Sequence, residues 1–264
     1  MRNQKIATIL IPNYKTPTLT KICLRLIRKY TDLSSVEVIV IDNDSKDEST
    51  KYLKSLKWIK LIERKEIKGE GGPMSHAKAL DLGLRMVKTN YVISFHTDTF
   101  VKDKNWLKIL LDPFKEKNNL AAVGSWKLEN KKILNNIGKK FEYLFKLLIG
   151  QEINKERFDK NYHYLRSHCA VYKTHIVKKL KTNFSDGEES PGKVMHKKII
   201  AAGYNVVFLE SKFLSKYMDH VNHATAAINS HLNKRTTNKF YKKFTQLTNK
   251  KEIKQILEDK SLDS

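Results

Sequence analysis

Tyr91-Val92-Ile93-Ser94-Phe95-His96-Thr97-Asp98-Thr99-Phe100 changes chemistry within one residue. Its first five residues are apolar and β-branched or aromatic, the length and type of a buried strand. The next three, His96-Thr97-Asp98, are polar. In an open α/β sheet, ligands bind in the crevice at the carboxyl ends of the strands. A nitrogen donor and a carboxylate two residues apart there can share a divalent cation that also holds phosphates. Alternatively, Asp98 only caps the turn that follows, as Asp often does.

Working outward, residues 6–11 (IATILI) read as a first strand ended by Pro12-Asn13-Tyr14, and residues 36–41 (VEVIVI) as a second, followed by Asp42-Asn43-Asp44. Leu19, Ile22, Cys23, Leu26, Ile27 and Tyr30 recur at helical spacing between them. Asp47 is placed to N-cap a helix to about Leu56. A third strand is expected over 58–62, a helix capped by Ser75 to Val87, a helix from Asp103 to Leu111, and a strand over 121–125. This β-α-β alternation predicts a mostly parallel sheet with helices on both faces. Pro12-Asn13-Tyr14, Asp42 onward and His96 to Asp98 then converge on one sheet edge, as a nucleotide site in this architecture requires. The glycines at 69, 71 and 72 match neither a dinucleotide fingerprint nor a P-loop.

The chain has 264 residues, with 51 Lys and Arg against 28 Asp and Glu, a formal charge of +23 that favours anionic partners without choosing among them. Cys23 and Cys169 are too few and too far apart for a disulfide framework and read as small core residues in a reducing compartment. No secretory signal is evident, because the apolar run from Ile6 stops at Pro12. The expected location is cytoplasmic, with attachment to the inner face of a membrane left open.

The segments ATILIPNYK, VIVIDNDSKDEST and HAKALDLGLRMVKTNYVISFHTDTF, in this order and spacing, resemble family 2 glycosyltransferases of the GT-A fold. Val40-Ile41-Asp42-Asn43-Asp44-Ser45-Lys46-Asp47 fits the family's V-x-D-N-x-S-x-D motif. The resemblance implies that Pro12, Tyr14 and Asp42 line a nucleotide-sugar pocket, with Asn13, Asn43, Thr97 and Lys78 as further donor-side candidates. Lys78 is either a cation near the phosphates or one of many solvated lysines. The family's D-x-D motif reads His96-Thr97-Asp98 here. Asp98 matches the carboxylate that touches the metal, and His96 replaces the other. An imidazole ligand favours Mn²⁺ over Mg²⁺, which prefers all-oxygen shells.

Three parts of the chain follow: a nucleotide-binding half over 1–125, an acceptor and catalytic-base half over 126–225, and a basic helical tail over 226–264. In the second, an inverting transfer needs a carboxylate base. The candidates are Glu189 first, then Glu188, then Asp186, in an acidic loop ahead of a helix from Pro191 to Ala202; a merely solvated loop is the alternative. His220 and His223, three apart and able to share a helix face, are candidate metal ligands by the family's pattern. His168 reads as a buried structural residue. An apolar helical patch at Phe141, Leu144, Phe145 and Leu148 breaks the otherwise Lys- and Asn-rich stretch 127–160.

The basic amphipathic tail packs on the domain through Phe240 and Phe244, lies on an anionic membrane surface, or builds an oligomer. The implied function is transfer of a sugar from a nucleotide-sugar to a glycan or lipid-linked acceptor in bacterial surface polysaccharide or lipopolysaccharide synthesis. The rival readings are a non-catalytic nucleic-acid-binding protein, which no recognisable motif supports, and a degenerate GT-A-like protein.

Overall fold

The computed structural model describes residues 5–65, 67, 69–126, 128, 162–188, 190–221, 228 and 234–264. The 141–148 patch, Glu189 and His223 fall outside these residues. Among the described residues nine strands are present: β1 (Ala7–Asn13), β2 (Val36–Asp42), β3 (Lys60–Glu63), β4 (Tyr91–Phe95), β5 (Thr99–Val101), β6 (Leu120–Gly124), β7 (Cys169–Lys173), β8 (Asn205–Phe208) and β9 (Met218–His220). The helices are α1 (Pro17–Tyr30), α2 (Glu48–Ser55), α3 (Gly72–Met86), α4 (Trp106–Leu111), α5 (Pro113–Glu116), α6 (Thr174–Lys179), α7 (Lys193–Ala201), α8 (Ser211–Leu214), α9 (Lys234–Thr248) and α10 (Lys251–Glu258).

Seven strands form one sheet in the order β3-β2-β1-β4-β7-β6-β8. β3, β2, β1 and β4 run parallel, and β6 runs parallel to β8. β7 is antiparallel to both of its neighbours. The sheet therefore takes strands from both sides of residue 125.

Period-2 alternation explains why helices cover both faces. Ile9, Ile11, Val38, Val40, Ile93 and Phe95 point into one buried cluster with α1 and the tail. Leu10, Ile39, Ile41 and Val92 point into the other, under α3, α6 and α7. Gly83 sets how closely α3 approaches: a Cβ there would lie 2.9 Å from Leu10 and 3.0 Å from Ile41.

Several element bounds depart from the sequence expectation. β1 continues through Pro12 instead of ending before it, because the β1–β4 ladder stops at Leu10 and no bond is lost at the proline. β3 covers 60–63 rather than 58–62, following its register on Ile39 to Asp42. α3 begins at Gly72, a turn ahead of Ser75, with Pro73 in its first turn, where the missing N–H costs nothing. Asp103 precedes α4 as a turn, accepting from the Asn105 N–H at 2.7 Å.

The tail packs on the domain, with Phe240, Leu247, Ile253 and Ile256 buried in the cluster that α1 also feeds. Arg25 of α1 anchors it: Nε and Nη2 donate to both Asp263 oxygens at 2.8 and 2.5 Å, and Nη1 donates to the carbonyls of Ile256 and Leu257. Tyr52 adds a hydrogen bond to Asp263 at 2.7 Å. No helix among the described residues is long and apolar enough to cross a membrane.

Candidate metal and nucleotide site

The carboxyl ends of β1, β2 and β4 carry three loops knitted by one buried polar network. Asn13 Nδ2 donates to Asp42 at 2.7 Å and to Ser49 at 2.9 Å, while Thr20 donates to Asn13 Oδ1 at 2.6 Å. Asp42 also accepts from Ser45 at 2.5 Å and Thr50 at 2.7 Å. A carboxylate offers about four lone-pair sites, so Asp42 spends most of its capacity holding its own loop. Asn43, next in the chain, accepts from Arg64 at 3.2 Å. Lys15, Asp44 and Lys46 in these loops have φ of 48°, 57° and 52°, left-handed backbone that is costly for residues with side chains.

Beyond β4 the chain turns tightly, with the Thr99 N–H on the His96 carbonyl at 3.1 Å. β5 then pairs with β9, and the Val221 N–H donates to the Asp98 carbonyl at 2.9 Å. This two-stranded ladder brings His220 beside Asp98 from more than a hundred residues away. Asp98 Oδ1 lies 3.2 Å from His220 Nε2 and 3.6 Å from His96 Nδ1. One donor atom from each residue falls within 4.8 Å of the other two. With metal–ligand bonds of about 2.1 Å, two donors on one ion lie no more than about 4.2 Å apart, so the three close around an ion by drawing inward. His220 thus sits on a strand, correcting the helix-face expectation for it.

Around this triad lie two more histidines. His168 is buried, its Nε2 3.0 Å from Ser125 Oγ, and its ring stacks on His220 at 4.8 Å and 22°. His76, in the first turns of α3, meets His96 edge-on at 4.5 Å. Ser167 Oγ is 3.0 Å from His96 Nε2. Burial pushes the proton affinities of His76, His96 and His168 down, leaving all three neutral, the form that ligates a metal. For Asp98, burial alone would raise the pKa. His220 and then His96 outweigh it and hold the carboxyl well below the usual range. A carboxylate and two imidazoles around one point make a borderline donor set suited to Mn²⁺, Zn²⁺ or similar ions.

Lys78 pairs with Glu70 at 2.9 Å, and Glu70 also holds Arg64 at 2.5 Å. Pro12 ends up within β1, Tyr14 and Thr97 lie in the loops just described, and Thr97 Oγ1 is 3.4 Å from Thr16 Oγ1. Asp186 and Glu188 fall in one 3₁₀ turn. Asp186 accepts from Lys198 at 2.6 Å and Thr182 at 2.8 Å.

Two further residues that the sequence did not mark are fixed in this region. Asp81 of α3 accepts from the backbone N–H groups of Phe184 and Ser185 at 2.6 and 3.2 Å, so the helix that carries His76 also positions the acidic loop. Arg166, immediately before Ser167 and His168, lies over the rings of Trp126 and Tyr164. An Asp in the middle of an amphipathic helix, at a position that should be apolar, is the signal that could have found Asp81.

A mostly parallel seven-stranded sheet with its polar loops gathered past β1, β2 and β4 is a GT-A fold. Residues 8–181 match the model of glycosyl transferase family 2, and the chain belongs to that family. No curated protein matches it. Among solved structures it is similar to the mannosyltransferase PcManGT of Pyrobaculum calidifontis, solved with GDP-Man and Mn²⁺, at 17% identity and a TM-score of 0.54. That match covers 79% of this chain and 56% of the mannosyltransferase, so the chain spans little more than half of its length. It is also similar to residues 1–349 of S. aureus TarS, solved alone and with UDP-GlcNAc, at 14% identity and a TM-score of 0.56, over 89% of this chain. At such identities the likeness is one of fold.

Proposed function

We propose that this protein transfers a sugar from a nucleotide-sugar donor to a glycan or lipid-linked acceptor, with a divalent metal on the donor diphosphate. The observation that carries the reading is the His96–Asp98–His220 cluster at the carboxyl edge of the sheet. The nucleotide-sugars bound by the mannosyltransferase and TarS support it. A metal held there neutralises the leaving diphosphate. The chain's own residues do the rest. His96, with its proton on Nε2 donated to Ser167, presents the Nδ1 lone pair. Asp98 supplies the anionic ligand. Pro12, Asn13, Tyr14, Asp42, Asn43 and Thr97 shape the nucleotide pocket, while Lys78 acts through Glu70. Two nitrogen donors favour Mn²⁺ over Mg²⁺.

Transfer inverts the anomeric centre, with the base drawn from the acidic loop: Glu189, then Glu188. Asp186 is bound to Lys198 and positions the turn. His223 is a further ligand candidate. The expected setting is bacterial surface polysaccharide or lipopolysaccharide synthesis at the cytoplasmic membrane face, with the basic outer side of α9 and α10 toward anionic lipid.

The test is thermal stability against UDP-, GDP-, dTDP- and CMP-sugars, with and without Mn²⁺. A ligand at 100 times its Kd adds about 2.7 kcal/mol. A shift that needs both one nucleotide class and Mn²⁺, and is lost in Asp98→Asn, is the expected result. Shifts that ignore Mn²⁺ or survive Asp98→Asn would remove the metal from the account.

A further inference from the structure

We infer that Arg166 binds the diphosphate of the nucleotide donor beside the His96–Asp98–His220 cluster, an inference that rests on the donor reading above. Ser167 and His168 form one wall of that cluster. Ser167 contacts His96, and His168 stacks on His220. Arg166 comes immediately before them and is fixed to the same frame, since its N–H donates to the Ser125 carbonyl at 3.0 Å while Ser125 Oγ contacts His168.

The guanidinium is held in an unusual way. Its carbon lies 4.8 Å from the Trp126 ring centre and 5.3 Å from that of Tyr164, and Nη1 donates to the Tyr164 hydroxyl. His163 stacks on Trp126 at 4.5 Å and 10°, and Tyr164 is buried, so the aromatic mount is itself fixed. Arg25 and Arg64 each hold a carboxylate, whereas Arg166 pairs with none among the described residues. A half-buried guanidinium has five N–H donors, and stacking on rings orients them without neutralising the charge. Removing such a cation from water is costly unless an anion arrives. The anion of matching geometry at this edge is a diphosphate, which accepts a bidentate fork. Arg166 then shares the leaving-group charge with the metal.

The experiment is calorimetric titration of UDP, GDP and dTDP, and of the corresponding nucleosides, into Mn²⁺-loaded wild type, Arg166→Gln and Arg166→Lys. Arg166→Gln should weaken the nucleoside diphosphate at least tenfold, leave nucleoside affinity and melting temperature unchanged, and make diphosphate binding less salt-dependent. Arg166→Lys should fall between, keeping the charge but not the stacked fork. Unchanged diphosphate affinity in Arg166→Gln overturns the inference and leaves the donor reading standing; Arg166 would then serve an anionic acceptor. Equal losses for nucleoside and diphosphate also overturn it, since the residue would be shaping the pocket. A wild type that binds no nucleoside diphosphate overturns the donor reading itself, and this inference with it.

Discussion

Two carboxylates, Asp263 partly buried and Asp98 buried, sit at opposite ends of the molecule's chemistry. Asp263 is locked by the Arg25 guanidinium in a bidentate pair with Tyr52 in support. Asp98 faces two imidazoles at 3.2 and 3.6 Å, looser contacts with groups that can be neutral. An arginine never gives up its proton, so the Asp263 pair is a permanent clamp. A histidine can exchange its proton for a metal, so the cluster around Asp98 is a socket. One carboxylate fastens the tail; the other is arranged to receive a cation.

Breaking the socket should cost function and leave the fold. Asp98→Asn should lower sugar transfer roughly a thousandfold while melting without added ligand stays near wild type. Breaking the clamp should do the opposite. Arg25→Ala leaves Asp263 and two helix-terminal carbonyls without their donor. It should cost about 3 kcal/mol, read by urea denaturation, and expose α9 and α10 to limited proteolysis, with nucleotide affinity unchanged.

A finer division lies within the socket. Ser167→Ala removes the partner of His96 Nε2, and a lost outer-shell hydrogen bond of this kind weakens metal about 10-fold. Mn²⁺ titration should show this weakening, with nucleoside affinity intact.

The smallest effect is the pH response of the clamp. Burial opposes ionisation of Asp263, but the hydrogen bonds from Arg25 and Tyr52 depress its pKa in the folded protein. Its contribution is therefore present above the unfolded-state value and lost as pH falls through the lower folded one. Melting temperature should fall below the ordinary carboxylate range more steeply in wild type than in Asp263→Asn. Equal slopes would remove the clamp from the acid response.

How much of this was legible in the sequence follows from where the information sits. β1, β2 and β4 are continuous apolar runs because both of their faces are covered, and such runs stand out. Their polar ends marked the Asn13, Asp42 and His96–Asp98 loops for the same reason. The antiparallel direction of β7 was hidden, since a strand buried on both faces reads alike in either direction. β5 and β9 are three residues each, too short to show a period, so the ladder that delivers His220 left no trace. The Arg25–Asp263 clamp joins residues 238 apart by charge alone in a chain with 51 basic residues. Phe240 and Phe244 carried the one readable sign that the tail packs. Asp81 and Arg166 act through backbone amides and aromatic faces, contacts that a linear reading does not register.

The most direct measurement is pulsed electron paramagnetic resonance of Mn²⁺ bound with a nucleoside diphosphate. Nitrogen couplings from two imidazoles are expected, one lost in His96→Gln and the other in His220→Gln, with phosphorus coupling from the nucleotide on the same ion. Mn²⁺ that shows phosphorus coupling but no nitrogen, or that keeps both nitrogen couplings in the two variants, would contradict the metal site.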